Sequence, residues 1–139
     1  MPIKIISPGK PIAKNRPRFA RRGKFTVTYS DQETEEGLFI LDARQQLKGH
    51  ELITGPISLI AVFSFERPKS HFGTGRNAGK LKDSAPGIHI KKPDTDNLLK
   101  FVKDCLNGIA WKDDSQVYDV RGVKRYSSEP KTEIIITAE

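Results

Sequence analysis

Apolar and polar residues alternate along several stretches of the chain, most regularly over 57–65. Ile57, Leu59, Ala61, Phe63 and Phe65 fall on one face of this stretch, which predicts a β-strand. Because the second face is partly apolar too, we expect the strand to lie inside a sheet. Shorter stretches of strand composition occur at 3–7, 25–29, 88–90, 117–126 and 132–138.

A first helix is predicted to run from about residue 31 to about residue 48. Ser30 or Asp31 is a candidate N-cap, and Glu33 completes a capping box with Ser30. Gly49 is expected to end the helix. Its apolar stripe is expected to contain Leu38 and Leu47, with either Leu41 or Ile40 between them.

A second helix is predicted over 97–107, with Gly108 as its C-terminal cap. Its apolar face carries Leu98, Val102, Cys105, Leu106 and Ile109. The connection 8–23 is rich in proline, glycine and arginine and is expected to be a loop or extended arm. The connection 67–87 is rich in glycine, lysine and serine and is expected to be a long loop. The resulting order, β-β-α-β-α-β-β, predicts an α/β (α+β) fold in one domain spanning 1–139, with a mixed β-sheet and two main helices.

Composition excludes several classes of protein. The chain has 139 residues, of which 36% are hydrophobic and 29% charged, as in ordinary globular domains. No apolar run approaches the roughly 20 residues of a membrane span, and the N-terminus lacks a signal-peptide hydrophobic region, so a cytoplasmic location is expected. With one cysteine and three histidines outside metal-ligand spacing, neither a disulfide scaffold nor a zinc enzyme is expected.

The net charge of +7 favours a polyanionic partner, nucleic acid first and an anionic membrane surface second. Basic residues cluster within 14–24 and again at 91–92. The candidate DNA contacts in these clusters are Lys14, Arg16, Arg18, Arg21, Arg22, Lys91 and Lys92.

Acidic residues are concentrated just after the second basic cluster. Asp94 and Asp96 are two residues apart and precede the second helix, so in an extended segment their side chains point the same way. A divalent cation would relieve their mutual repulsion and suits hard oxygen ligands. The alternative is that Asp96 is only an N-cap and Asp94 a solvated loop residue.

A lysine and a second acidic pair extend this pattern. Lys100 lies one helical turn after Asp96 and could stabilise negative charge on a phosphate; the alternative is an ordinary surface pair. Asp113 and Asp114 follow Trp111, which is expected to pack at the helix–sheet junction. The strand–helix–strand unit can fold this second pair back near the first, which would complete a three-carboxylate site for hydrolysis of a phosphodiester.

Several motifs around these residues resemble the RusA family of Holliday junction resolvases. They are D-x-D-N-L-x-K at 94–100, D-x-L-N-G at 104–108 and W-x-D-D-x-Q-V at 111–117. The motif G-x-P-x-x-K-x-R-P-R-F at 9–19 resembles phage and prophage members of the family. Several motifs at the separations found in the family indicate membership far more specifically than any single motif does.

The resemblance implies a homodimer that resolves four-way DNA junctions by paired symmetric nicks. Asp94, Asp96 and Asp114 match the family's catalytic, Mg²⁺-binding aspartates, and Lys100 matches its essential lysine. Asp113, next to the matching position, is a further candidate ligand. The implied cofactor is Mg²⁺, with Mn²⁺ as a substitute, and no small-molecule cofactor is implied. A two-fold dimer suits two cuts related by one axis.

The chain departs from the pattern in the length of its 67–92 segment, which the family's shorter members lack. Its residues Arg76, Lys80 and Lys82 are further candidates for contact with junction arms, and a solvated loop is the alternative. Two other functions stay open: a nuclease of this family acting on forks, flaps or other branched DNA, and a non-catalytic basic DNA-binding module. The second explains the charge but not the acidic residues, because carboxylates beside phosphates oppose DNA binding unless a metal intervenes.

Overall fold

The computed structural model describes residues 2–15, 18–22, 25–29 and 33–139, and for 18–22, 25–29 and residue 33 it describes the backbone alone. The described residues form six strands, two α-helices and three short 3-10 helices. The strands and α-helices are β1 (Pro2–Pro8), β2 (Arg18–Arg22), β3 (Phe25–Tyr29), α1 (Glu33–Gln46), β4 (Ile57–Glu66), α2 (Thr95–Leu106), β5 (Val117–Ser127) and β6 (Lys131–Ala138).

The larger sheet of the described chain is four-stranded and mixed, in the order β1-β6-β4-β5. Strand β4 pairs parallel to β5 and antiparallel to β6, and β6 also pairs antiparallel to β1. Parallel neighbours require a crossover connection, and α2 lies within the connection between β4 and β5. The predicted mixed sheet with two helices and the inner position of β4 are both confirmed.

The core lies between one face of this sheet and the two helices. All five alternating residues of β4, from Ile57 to Phe65, are buried, as are Leu98, Val102, Cys105 and Leu106 of α2. Phe101, which the predicted apolar face of α2 omitted, is buried with them. Burial raises the pKa of the Cys105 thiol to about 12, so this side chain packs as a small apolar group.

The predicted apolar stripe of α1 is wrong at Leu38 and at Leu41, whereas Ile40, the stated alternative to Leu41, packs against the core. Leu38 and Leu41 are 61% and 53% exposed, whereas Phe39, Ala43 and Leu47 are buried. Four-residue spacing places these three on one face, and the Phe39 ring packs edge-on against Phe101 with centroids 5.6 Å apart. Both faces of α1 carry apolar residues, so its tertiary contacts with α2 and β1 decide which one is buried.

Three further predictions differ from the structure. Residues 18–22 were expected in a loop or extended arm but form a strand paired antiparallel with β3, because a neighbouring strand supplies hydrogen bonds that local composition does not reveal. Ile88 makes one isolated bridge to Arg125 rather than forming a strand over 88–90. Helix α2 begins at Thr95, two residues before the predicted start. The proposed cap of α1 at 30–31 falls outside the described residues.

The last two strands are consecutive in the chain but are not neighbours in the sheet. Strand β6 lies between β1 and β4, so the turn at 128–130 crosses the end of β4. None of the helices in the described ranges is long and apolar enough to cross a membrane.

Candidate metal and DNA site

The N-terminal end of α2 presents two exposed carboxylates. Asp94 is the N-cap, with extended backbone angles of φ −73° and ψ 148°, and its side chain caps no backbone N–H. Asp96 lies in the first helical turn, where the helix dipole favours negative charge. Neither carboxylate accepts a hydrogen bond or forms an ion pair within the described part of the chain. Both are therefore available to a ligand from solution.

Strand β5 holds this end of α2 in place. The Lys124 ammonium donates to the carbonyl oxygens of Lys91 at 2.6 Å and Pro93 at 2.8 Å. Gly122 allows close approach, because a Cβ there would lie only 2.6 Å from Thr95 Cγ2 and 3.0 Å from Leu99 Cδ1. Sequence reasoning missed both Lys124 and Gly122, since neither lies in a recognisable motif.

Asp113 and Asp114 lie in a short turn before β5, and their carboxylates are engaged differently. Asp113 accepts hydrogen bonds from the backbone N–H of Ser115 at 3.0 Å and from the Ser115 hydroxyl. These bonds hold the pKa of Asp113 below its ordinary value. Asp114 Oδ1 accepts a 2.8 Å hydrogen bond from Trp111 Nε1, and Trp111 is fully buried. The predicted packing role of Trp111 is confirmed, and it also orients Asp114.

Gln116 anchors this turn; it belongs to the W-x-D-D-x-Q-V motif, but no role was predicted for it from the sequence. Its side-chain amide donates to the carbonyl oxygens of Ile53 and Gly55, each at 2.9 Å, and its Oε1 accepts from the Asp113 N–H at 2.7 Å. The turn at 113–116 is therefore tied to the segment before β4.

The two acidic pairs lie at opposite ends of α2. The helix has 12 residues, which corresponds to a length of about 18 Å. Beyond its C-terminus, Gly108 N–H donates to the Trp111 carbonyl at 2.8 Å, which holds the link to Asp114 close to that end. On β5, Gly122 faces Thr95. Gly122 follows Val117, the first residue of the strand, by five positions, which corresponds to roughly 16 Å along β5.

One chain alone therefore does not bring Asp114 to Asp94 and Asp96. Within the described residues, no group of three or more His, Cys, Asp or Glu side chains is placed so that it could hold a metal ion. The strand–helix–strand unit does form, but α2 separates the two pairs instead of joining them.

Basic residues surround the N-terminal end of α2. Lys91, Lys92 and Lys100 are exposed, and none forms an ion pair with a residue that the structure describes. Lys100 and Asp96 thus do not make the surface pair that was the alternative interpretation of their spacing. These cations remain available to phosphates.

Lys14 has a structural role. Its ammonium lies 3.0 Å from Glu36 of α1 and 3.4 Å from Asp104 of α2, and its backbone N–H donates to the Asn97 carbonyl at 3.0 Å. Burial by itself lowers the pKa of Lys14, but the hydrogen bond and charge of Glu36, with Asp104, raise it above its ordinary value. Lys14 therefore ties the segment after β1 to both helices.

The other predicted DNA contacts fall into two groups. Arg16 lies outside the described residues, and Arg18, Arg21 and Arg22 are described only as backbone of β2. Arg76, Lys80 and Lys82 are exposed on the 67–87 connection. That connection is locally ordered, since Phe72 bridges Leu81 and two short 3-10 helices lie within it.

Comparison with known proteins agrees with the motifs. The family model described as endodeoxyribonuclease RusA matches residues 8–137. A relative described as uncharacterized protein YqaN, from Bacillus subtilis (strain 168), is 36% identical over 138 residues, covering 96% of this chain and 94% of that protein. The family match covers nearly the whole chain, including both acidic pairs and Lys100. The chain belongs to the RusA endodeoxyribonuclease family.

Proposed function

We propose that this protein is a Mg²⁺-dependent endonuclease that resolves four-way DNA junctions by paired symmetric nicks. The observation that carries the proposal is the N-terminal end of α2, where Asp94 and Asp96 are exposed, and unpaired with any described residue, beside Lys91, Lys92 and Lys100. Carboxylates held free among cations suit a site that binds a divalent ion and a phosphate together. The family membership and the net charge of +7 support DNA as the substrate.

A second copy of the chain would complete the site. Asp94 and Asp96 supply hard oxygen ligands of the kind Mg²⁺ prefers, but they are too few by themselves. In a two-fold dimer with antiparallel α2 helices, the N-terminal end of one α2 lies beside the C-terminal end of the other. The partner subunit's Asp114 then joins Asp94 and Asp96. The separation of the acidic pairs within one chain favours this shared arrangement.

The remaining side chains have distinct proposed roles. Asp114 is the better metal ligand of the second pair, because Trp111 orients it through one oxygen while Asp113 is engaged by Ser115. A bound Mg²⁺ would activate water and stabilise the leaving oxygen. Lys100, one turn after Asp96, is placed to stabilise negative charge that develops on the phosphate.

The test is incubation of a synthetic four-way junction with wild type and Asp96→Asn, with and without Mg²⁺. We expect symmetric nicks in opposite strands from wild type with Mg²⁺, and none from the variant. The matched control is Glu35→Gln, which neutralises an exposed carboxylate on α1 and should leave cleavage unchanged. Cutting by wild type that persists in excess EDTA would refute the metal mechanism.

A panel of DNA substrates distinguishes junction resolution from the alternative functions. Intact junction, fork, flap and linear duplex are each incubated with Mg²⁺. Preferential cutting of the junction supports resolution, whereas equal or faster cutting of forks or flaps would assign a broader branched-DNA nuclease. Binding without cutting of any substrate would assign a non-catalytic DNA-binding module.

A further inference from the structure

A cleft of about 440 Å³ lies beside the segment that leads into α2. Its aromatic side chains are Phe65, His89 and Tyr126, and its cationic ones are Lys10, Arg67, Lys91 and Lys92. Pro93 also lines it, so the cleft ends one residue before Asp94. Lys91 and Lys92 also lie beside the proposed metal site, but that site does not account for the aromatic side chains or for Lys10 and Arg67.

The aromatic side is built by three packed rings. The His89 ring stacks on Phe65 with centroids 4.0 Å apart and 17° between the planes, and Tyr126 lies 5.0 Å from His89. The Arg67 guanidinium lies over the Tyr126 ring at 5.4 Å. His89 is 7% exposed, and its Nδ1 has no hydrogen-bond partner within the described structure. Phe65 and His89 are thus nearly fully buried, with an unsatisfied polar atom behind them, so the partly buried Tyr126 is the ring of this aromatic wall that a ligand in the cleft would meet.

The cleft is also lined by positive charge that no described residue neutralises. Lys10, Lys91 and Lys92 are exposed, and none forms an ion pair among the described residues. Among the described residues that line the cleft, Glu66 is the one acidic residue. A site with an aromatic wall and a cationic rim matches a ligand with a planar ring and a phosphate.

We propose that this cleft binds an unpaired nucleotide of branched DNA, with its base against the aromatic wall and its phosphate at the lysines. The inference rests on the proposed function only in taking DNA as the ligand. Paired DNA would have to unstack a base to enter, and that cost is least where bases are already unpaired, as at a branch point. Because Pro93 lies between the cleft and Asp94, the bound nucleotide would lie next to the phosphate that is cleaved at Asp94 and Asp96.

The first test compares two short single strands that differ only in their bases. A thymidine tetranucleotide and an abasic tetranucleotide with the same phosphates are titrated into the ¹⁵N-labelled full-length protein without Mg²⁺. We expect the base-containing strand to bind about tenfold or more tightly, with the largest amide shifts at 89–92 and 126. Equal affinities would overturn the proposal, and so would inorganic phosphate that reproduces the same shifts.

Variants then assign the preference to the cleft. Tyr126→Leu should remove most of the advantage of the base-containing strand and leave the affinity for the abasic strand nearly unchanged. The double change Lys91→Gln with Lys92→Gln, at exposed positions that should not disturb folding, should weaken binding of both strands. Lys48→Gln, an exposed lysine just after α1, is the control and should retain the preference. A folded Tyr126→Leu protein that keeps the tenfold preference would contradict the assignment.

Junction cleavage by the same wild-type preparation separates this inference from the proposed function. Cleavage together with equal affinity for the two strands means that only the nucleotide cleft is refuted. Base-dependent binding without cleavage means that only the proposed function is refuted.

Discussion

Lys100 and the carboxylates at the N-terminal end of α2 have no partners among the described residues, so their chemistry depends on what binds there. Asp114 differs, because the buried Trp111 fixes one of its oxygens. A side chain with no internal partner contributes little to stability. Substitutions at Asp94, Asp96 or Lys100 should therefore affect activity far more than folding.

Lys100→Ala should reduce the rate of junction cleavage by about 100-fold or more, because a cation near the reacting phosphate acts mainly in the transition state. Junction binding should fall by less than about tenfold, since other cations hold the DNA backbone. Gel-shift titration and single-turnover cleavage give the two values. Lys103→Ala, on the same helix, is the control; equal losses of binding and cleavage in Lys100→Ala would show that Lys100 only binds phosphate.

His89 should make folding sensitive to mild acid. Burial, then the charge of Lys124, lowers the pKa of His89 below its usual 6.5. The unfolded chain therefore takes up a proton at a higher pH than the folded protein, so stability is complete above about pH 6.5 and falls as the pH decreases through the interval down to the folded pKa. A ring titration by NMR should show His89 titrating below 6.5, and a value at or above 6.5 would contradict this.

Substitution of His89 by phenylalanine tests the same pH dependence of stability. His89→Phe keeps an aromatic ring against Phe65 and removes the titrating group, so its urea midpoint should fall less than that of wild type between pH 7.5 and 5. Some dependence should remain, because burial and the charge of Arg67 lower the pKa of His71 as well. An unchanged pH dependence in His89→Phe would exclude His89 as its source.

At the scale of elements, the contact between α2 and β5 positions half of the site. Gly122→Val should destabilise the fold by about 1–3 kcal/mol, because the added carbons would overlap Thr95 and Leu99. It should also slow cleavage, since the first turn of α2 carries Asp96. Urea unfolding gives the free-energy change.

A glycine in α1 provides the control for this substitution. Gly37 is exposed within the helix, and a Cβ added there would meet no atom within 4 Å. Gly37→Ala should therefore stabilise the protein by about 0.5–1 kcal/mol through helix propensity. A Gly122→Val protein with an unchanged urea midpoint would show that α2 does not depend on close approach to β5.

At the scale of the whole molecule, a shared site predicts complementation between inactive variants. Asp96→Asn and Asp114→Asn should each be inactive alone. A mixed dimer has one site with every carboxylate intact and one site with both changes, so refolding an equal mixture should restore about a quarter of the wild-type sites. The products should be single nicks rather than paired nicks. No recovery, with mixed dimers demonstrated by a size-tagged subunit, would place each site within one chain.

Much of this architecture could be predicted from the sequence, because the signals are local. The alternation over 57–65 determined an inner strand, and the spacing from Leu98 to Leu106 determined α2 and its buried face. Short-range rules also located the acidic motifs at the start of α2 and before β5. These features depend on periodicity and on neighbours within a few residues, so no knowledge of the distant chain was needed.

The tertiary structure decided what depends on residues far apart in the chain. It buried Phe39 rather than Leu38, because Phe101 contacts that face of α1. It paired β6 with β1 and β4 instead of β5, and it assembled the cleft around Phe65, His89 and Tyr126. It also placed Asp114 at the far end of α2 from Asp94. The direction in which α2 packs against β5 sets this separation, and the spacing of a motif does not encode that direction.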